Sequence, residues 1–150
     1  MTWKPHVTVA SVIEQKNQFL LVEETINGQK VLNQPAGHLE PDESLIDAVI
    51  RETLEETGWD FQPDHLISIY RFPSATADKT FLRFNFAGQA IQHHPELSLD
   101  TDIEQAIWMT AEEILQQKQR HRSPLVLKAI EDFQTGKAFP LSILQDFSWD

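Results

Sequence analysis

Gly37-His38-Leu39-Glu40-Pro41-Asp42-Glu43-Ser44-Leu45-Ile46-Asp47-Ala48-Val49-Ile50-Arg51-Glu52-Thr53-Leu54-Glu55-Glu56-Thr57-Gly58-Trp59 is the most informative run of this chain. It sets Glu43, Glu52, Glu55, Glu56, Arg51, Gly37 and Gly58 at fixed separations. Seven specified residues, each at about 7% of average composition, coincide by chance on the order of once in 10⁸ start positions. The spacing therefore carries meaning beyond composition.

From Ser44 onward the run is helical in pattern. Ile46, Val49, Ile50, Thr53 and Thr57 recur at helical spacing on one stripe. Ser44 is a natural N-cap, Asp47 stands where its carboxylate can close a capping box, and Gly58 supplies the left-handed residue expected past a helix end. The pattern predicts a helix from about Leu45 to Thr57.

That helix conflicts with its own electrostatics. Glu52, Glu55 and Glu56 share an arc of roughly 100°. Glu56 lies beside the apolar stripe, where a carboxylate looks into a groove. Glu52 and Glu56 are like charges at i, i+4, and all three acids crowd the end where the helix dipole disfavours negative charge. A divalent cation removes the conflict, and oxygen ligands select a hard ion such as Mg²⁺ or Mn²⁺ over zinc. The bland alternative is a solvated acidic face. Arg51, four residues after Asp47 and four before Glu55, can neutralise those two in one ridge, but that ridge leaves Glu52 and Glu56 unpaired. Nor does it account for Gly37, where glycine lets the backbone bring its carbonyl close to an ion held by the helix.

The run from Gly37 to Trp59 resembles the Nudix box: glycine, five residues, Glu, seven residues, Arg-Glu, an aliphatic residue, any residue, Glu-Glu, any residue, Gly and a hydrophobic one. Thr53 departs from the aliphatic position; it is β-branched and near valine in size, so a small effect on stability is expected and none on chemistry. Outside the box, Lys4-Pro5-His6-Val7-Thr8-Val9-Ala10, Val22-Glu23-Glu24-Thr25, Asn33-Gln34-Pro35-Ala36-Gly37-His38-Leu39-Glu40 and Arg122-Ser123-Pro124-Leu125-Val126 resemble the NudJ group of bacterial Nudix phosphatases. The resemblance implies an α/β (α+β) fold, a mixed sheet sandwiched between helices, with residues 1–150 forming one domain around the box at 37–59.

It also implies chemistry. Nudix enzymes hydrolyse a nucleoside diphosphate linked to another moiety, or a simpler organic pyrophosphate, by water attack at phosphorus. Carried onto this chain, Glu52 and Glu56 are the main metal ligands with the Gly37 carbonyl, and Glu55 shares the metal or takes the proton from water. Arg51 orients Glu43 and Glu55 through its rigid guanidinium fork, and Glu43 supports the ligands from behind. Many Nudix enzymes add an acid from outside the box. Asp102 is the candidate here and Glu104 the second, against a solvated acidic loop. Arg83 can hold a phosphate or form a surface ion pair. Trp3, Phe72, Phe81 and Phe84 are candidates for an aromatic wall against the organic part, or plain core. His6 and His38 stay outside the catalytic set.

Within the group the implied substrates are hydroxymethylpyrimidine pyrophosphate, thiamine pyrophosphate and nucleoside di- and triphosphates, with loss of the terminal phosphate. The competing readings are hydrolysis of ADP-ribose or of a modified nucleoside triphosphate, and a binding module that keeps the fold without chemistry.

Composition narrows the setting. The chain has 150 residues, 41% of them apolar, enough for one core. It contains no cysteine, so there is no disulfide or thiolate site, as suits a reducing cytoplasm. No segment approaches the roughly 20 apolar residues of a membrane span. A formal charge of −11 disfavours a long nucleic acid, whereas a small phosphorylated substrate is tolerated once its charge is neutralised locally. A soluble cytoplasmic enzyme is the expectation; protein partners are not legible.

The remaining elements follow from local signals. His6–Glu14 and 19–24 read as a hairpin across Gln15-Lys16-Asn17-Gln18, with a strand near 31–33 after the Asn27-Gly28 turn. Strands are expected near 66–72, 80–90 and 106–109. Helices are expected over 111–117, capped by Thr110 with Glu113, and from Pro124 to about Thr135, ending at Gly136.

Overall fold

The computed structural model describes residues 2–75 and 78–149. Helix α1 spans Leu45–Thr57. Ser44 caps it by accepting a hydrogen bond from the Asp47 N–H at 3.0 Å, and Gly58 closes it at φ 76° with its N–H on the Leu54 carbonyl. Among the described residues the Asp47 carboxylate does not return the bond, so the expected capping box is half formed.

Strands β1 (His6–Gln15) and β2 (Gln18–Ile26) start as the expected hairpin, but their pairing ends after Glu14↔Phe19 and Gln15↔Gln18. β1 then runs parallel to β6 (Thr80–His93) from His6↔Phe81 to Ile13↔Gly88 and antiparallel to β4 (Ala36–His38). β2 instead lies between β3 (Gln29–Asn33) and β7 (Ile103–Met109). One parallel pair among antiparallel ones makes the sheet mixed, in the order β3-β2-β1-β6-β5-β8, with β4 on β1 and β7 on β2. β5 (Trp59–Pro73) begins directly after α1, seven residues earlier than the pattern near Leu66 suggested, and β8 is the short Phe139–Pro140.

Each strand sends alternate residues to opposite faces. On β1, Val9 and Ile13 pack with Ala48 and Val49 of α1, whereas Val12 joins Leu21, Ile67 and Ala87 beneath α3 (Leu125–Gln134). The short helix α2 (Ala111–Gln116) adds Ile114 to the second cluster and has a complete capping box between Thr110 and Glu113. Burial of each such aliphatic side chain contributes roughly 1.5–3 kcal/mol. Thr53, the departure from the aliphatic pattern, is fully buried, and its hydroxyl bonds the Val49 carbonyl at 2.7 Å and Ser11 Oγ at 2.8 Å. The polar atom that valine lacks has partners in Ser11 and the helix backbone, so the substitution leaves no buried group unsatisfied. No helix among the described residues is long and apolar enough to cross a membrane.

Candidate active site

Arg51 organises the C-terminal half of α1. Its Nε and Nη2 donate to both oxygens of Glu43 at 3.0 and 2.7 Å, a bidentate fork. Nη1 donates to Glu52 at 2.9 Å and Glu55 at 3.1 Å, and Nη2 also reaches the His38 carbonyl at 3.0 Å. Glu40 lies 3.5 Å from the same guanidinium. The ridge joining Asp47 to Arg51 does not form among the described residues. Glu52, expected to be unpaired in such a ridge, is instead held by Arg51. The hydrogen bonds from Arg51 keep the Glu43 carboxyl below its ordinary pKa despite some desolvation.

Gly37 lies directly under Glu52. A Cβ at position 37 would sit 2.0 Å from Glu52 Cδ and 2.2–2.3 Å from its carboxylate oxygens. Glycine is thus required by the approach of the carboxylate to the β4 backbone, and not by a turn. One residue back, the Ala36 N–H donates to Glu56 Oε1 at 2.9 Å. The β4 strand therefore seats both inner glutamates of the helix.

These glutamates are chemically uncomfortable. Burial is the main cause pushing the Glu56 carboxyl up to about 9, with Glu24, Glu52 and Asp100 adding to it. Burial also raises Glu52, against the lowering effect of Arg51. Glu56 has no ion pair among the described residues. A cation beside them offsets both effects, and the donor set is all oxygen, which fits a hard divalent ion. Oxygens of Glu52, Glu55 and Asp100 lie within 4.8 Å of one another.

The acid that meets Glu52 and Glu55 is Asp100, two residues before the Asp102 expected from the sequence. The Asp100 N–H bonds the Glu55 carbonyl at 3.1 Å and ties the loop to the end of α1, a contact with no local signature. Asp102 lines a neighbouring space of about 330 Å³ with Glu24, Glu56, Asp100 and Arg122, and also the cleft that holds Gly37, Glu52 and Glu56. Glu104 accepts from Thr25 Oγ1 at 2.6 Å.

A larger cleft of about 940 Å³ opens beside Glu52 and Glu56, and Gly37, Arg83, Phe72 and Phe81 line it. Arg83 is only 7% exposed, so the surface ion pair considered for it does not occur. Its Nε donates to Asn85 at 3.1 Å and its Nη2 to Gln34 at 2.9 Å, all neutral acceptors. Burial lowers its pKa to about 10, so it stays charged at neutral pH. Gln34, which the sequence reading left without a role, anchors this arginine and donates to the Val126 carbonyl of α3 at 2.8 Å.

The proposed aromatic wall divides. Phe72 and Phe81, paired across β5 and β6, face the cleft. Phe84 packs with the α1-side core, because its position on β6 alternates to the other face. Trp3 is 67% exposed and does not line the cleft. His6 and His38 meet edge to face at 6.0 Å beside Phe81.

A mixed sheet between helices, with a glutamate-rich helix against a strand-end cleft, defines a class of hydrolase domain. A family model described as the NUDIX domain matches residues 3–129. The chain belongs to the Nudix hydrolase family. It is 49% identical over 148 residues to the protein named Phosphatase NudJ from Escherichia coli strain K12, covering 98% of this chain and 95% of that relative. A protein of the same name from Shigella flexneri matches at the same identity and coverage. The solved NUDIX hydrolase from Nitrosomonas europaea is 50% identical at a TM-score of 0.95, over 98% of this chain and 100% of that one. The NUDIX domain of Shewanella oneidensis NrtR, complexed with ADP ribose, shares the fold at a TM-score of 0.71 with 17% identity, covering 89% of each chain.

Proposed function

We propose that this chain hydrolyses the terminal phosphoanhydride of small organic pyrophosphates, hydroxymethylpyrimidine pyrophosphate and thiamine pyrophosphate among them, and of nucleoside di- and triphosphates, releasing orthophosphate. The observation that carries the reading is the meeting of Glu52, Glu55 and Asp100 within 4.8 Å beside a cleft that also holds the buried Arg83, which among the described residues forms no ion pair with a carboxylate. Acids on one side and a fixed guanidinium on the other suit a phosphate chain. Near full-length similarity to proteins named as phosphatases supports the class of product.

Glu52, Glu56 and the Gly37 carbonyl would hold Mg²⁺, or Mn²⁺ in its place, with Glu55, Asp100 and Asp102 near enough to share it. Bound there, the ion neutralises phosphate oxygens and lowers the pKa of the attacking water. Arg51 and Glu43 keep the carboxylates in place. Glu55, whose side chain is 41% exposed, is the group best placed to accept the proton released as water adds to phosphorus and the anhydride P–O bond breaks. Arg83 binds a phosphate oxygen and Phe81 packs against the organic part.

The test is incubation with Mg²⁺ and thiamine pyrophosphate, hydroxymethylpyrimidine pyrophosphate, a nucleoside triphosphate and ADP-ribose, with products resolved by anion exchange. Thiamine monophosphate plus orthophosphate is expected. AMP from ADP-ribose alone would keep the site and overturn the substrate, and binding without turnover would point to a module without chemistry.

A further inference from the structure

Two of the stretches outside the box, Val22-Glu23-Glu24-Thr25 and Arg122-Ser123-Pro124-Leu125-Val126, meet at the mouth of the cleft. Arg122 Nη1 donates to Glu24 at 2.8 Å, and the Arg122 backbone N–H bonds the Leu32 carbonyl at 2.8 Å. Glu24 is buried, so the guanidinium is tethered to the wall, yet the Arg122 side chain is half-exposed. Its Nε and Nη2 donate to none of the described residues.

The linings of the two spaces orient a substrate between them. Phe72, Phe81 and Arg83 line the cleft but not the smaller space of about 330 Å³, whereas Glu24, Ile26, Glu56, Asp102 and Arg122 line both and so mark where the two join. A diphosphate whose organic part packs against Phe81 and whose phosphates reach Glu52 and Glu56 therefore points its far end at this junction. Three of the five junction residues are acids, which repel a phosphate, and Arg122 is the one cation among them. Arg83 stands on the side of the phenylalanines. It and His38 pair with Thr8 from opposite sides of β1, which puts its backbone about 10 Å, two strand spacings, from that of β4. The two guanidiniums act on each other: burial is the main cause lowering the pKa of Arg83, and the charge of Arg122 adds to it. An anion lying between two such like charges relieves both.

We propose that Arg122 is a specificity-determining residue that receives the free end of the substrate's diphosphate on Nε and Nη2, while Arg83 holds a phosphate oxygen that every substrate presents. A phosphate esterified once carries close to two negative charges near pH 7, and a second ester leaves it one. Arg122 therefore favours diphosphates with a single organic group over those esterified at both ends. The proposal rests on the phosphatase reading of the site and adds which end of the substrate is recognised, and by what.

The experiment compares ADP with its β-methyl ester, the same molecule with the free end capped, by following AMP release under Mg²⁺. The wild type should prefer ADP by on the order of 10- to 100-fold in kcat/KM, the worth of one hydrogen bond between charged groups. In Arg122→Gln the preference should fall towards one, mainly through a raised KM for ADP, and Arg122→Lys, which keeps the charge, should retain several-fold of it. A ratio measured within one preparation does not depend on the folded fraction, and a merely structural part for the Glu24 pair would slow both compounds alike. Where loss of that pair unfolds the chain, the double variant Glu24→Gln, Arg122→Gln, which leaves no buried acid alone, takes its place. A preference absent from the wild type, or kept when Arg122 is replaced by glutamine, overturns the proposal. Should neither compound be hydrolysed, the phosphatase reading fails, and calorimetric titration of the same two compounds decides Arg122 separately: tighter binding of ADP that Arg122→Gln abolishes upholds it, and equal binding refutes it.

Discussion

Gly37→Ala should inactivate this protein while leaving it folded. Gly37 does not have positive φ, so alanine suits its backbone, and loss of unfolded-chain freedom favours the variant by about 0.4–1 kcal/mol. The new Cβ, however, falls 2.0 Å from Glu52 Cδ. To reach ordinary contact at 3.4 Å the carboxylate must retreat by about 1.4 Å. The obstructing atoms are the far end of a flexible side chain, so the move is cheap for the fold. It strains or breaks the 2.9 Å bond from Arg51, a loss of about 1.5–3 kcal/mol at most, while Arg51 keeps its fork on Glu43. The net change corresponds to a Tm within roughly 8 °C of wild type. A misplacement of about 1 Å at a catalytic group can cost 10²-fold in rate, so turnover should fall on the order of 100-fold or more.

Gly88→Ala supplies the contrast. Its Cβ would meet the Gln62 carbonyl at 2.1 Å and Pro63 Cα at 2.8 Å, backbone that cannot swing aside. Overpacking of this kind costs about 1–3 kcal/mol, occasionally more. Orthophosphate release under Mg²⁺ and thermal melts on both variants separate the cases: Gly37→Ala loses activity out of proportion to stability, and Gly88→Ala loses stability first. Gly37→Ala retaining turnover to within about threefold of wild type would refute the placement of Glu52 in the reaction.

Glu56→Gln should remain folded, because its partner Ala36 N–H can still be accepted by the amide oxygen, yet lose Mg²⁺-dependent hydrolysis; sustained turnover in the folded variant would remove Glu56 from the site. Asp100→Asn and Asp102→Asn should differ: Asp100 meets Glu52 and Glu55, so its variant should need more Mg²⁺ for half-maximal activity than the Asp102 variant, as read from metal titrations. Away from the site, Asp132 is buried between Lys128 at 3.2 Å and Lys137 at 3.1 Å and accepts from the Tyr70 hydroxyl. Burial alone would raise its pKa, but the hydrogen bonds from Tyr70, Lys137 and Lys128 outweigh it and hold the carboxyl below its ordinary range. That stability is fully present above the unfolded value of about 3.9 and is lost as pH falls through the lower folded value. Asp132→Asn should therefore melt lower at neutral pH, by about 1–2 kcal/mol because the lysines are half-exposed and screened, and its melting curve should approach wild type in acid.

What was legible in the sequence was what neighbours in sequence determine. Ser44, Gly58 and the Ile46–Thr57 stripe placed α1 correctly because caps and helical faces are short-range devices. The early start of β5 has no clear signature in the sequence because Pro63 and the polar residues around it break the alternation. The strand absorbs them through register shifts at Trp59/Phe61, Pro63/His65 and Leu66/Ser68, and bulges are where a sheet tolerates proline. Phe84 illustrates the same limit on one strand: without the register, nothing says which of Phe81 and Phe84 faces the cleft.

The candidate site shows why such limits matter most where function lies. The box glutamates sit on one helix, so their spacing alone brings them together. Asp100 joins them only because its backbone N–H docks on the Glu55 carbonyl, and Gln34 and Arg83 meet only because β3 leads into the segment that crosses toward β6. The helical acids provide a chemistry that a whole family can share, whereas Gln34, in the loop after β3, and Arg83, within β6, come from segments that the box does not constrain. Substrate choice should therefore respond to changes at Phe72 and Phe81, which line the cleft, and turnover of every substrate to changes at Glu52, Glu56 and Arg83. A variant at Phe81 that slowed all diphosphates equally would contradict that division, because a ring set against the organic part of the substrate takes no part in the attack at phosphorus.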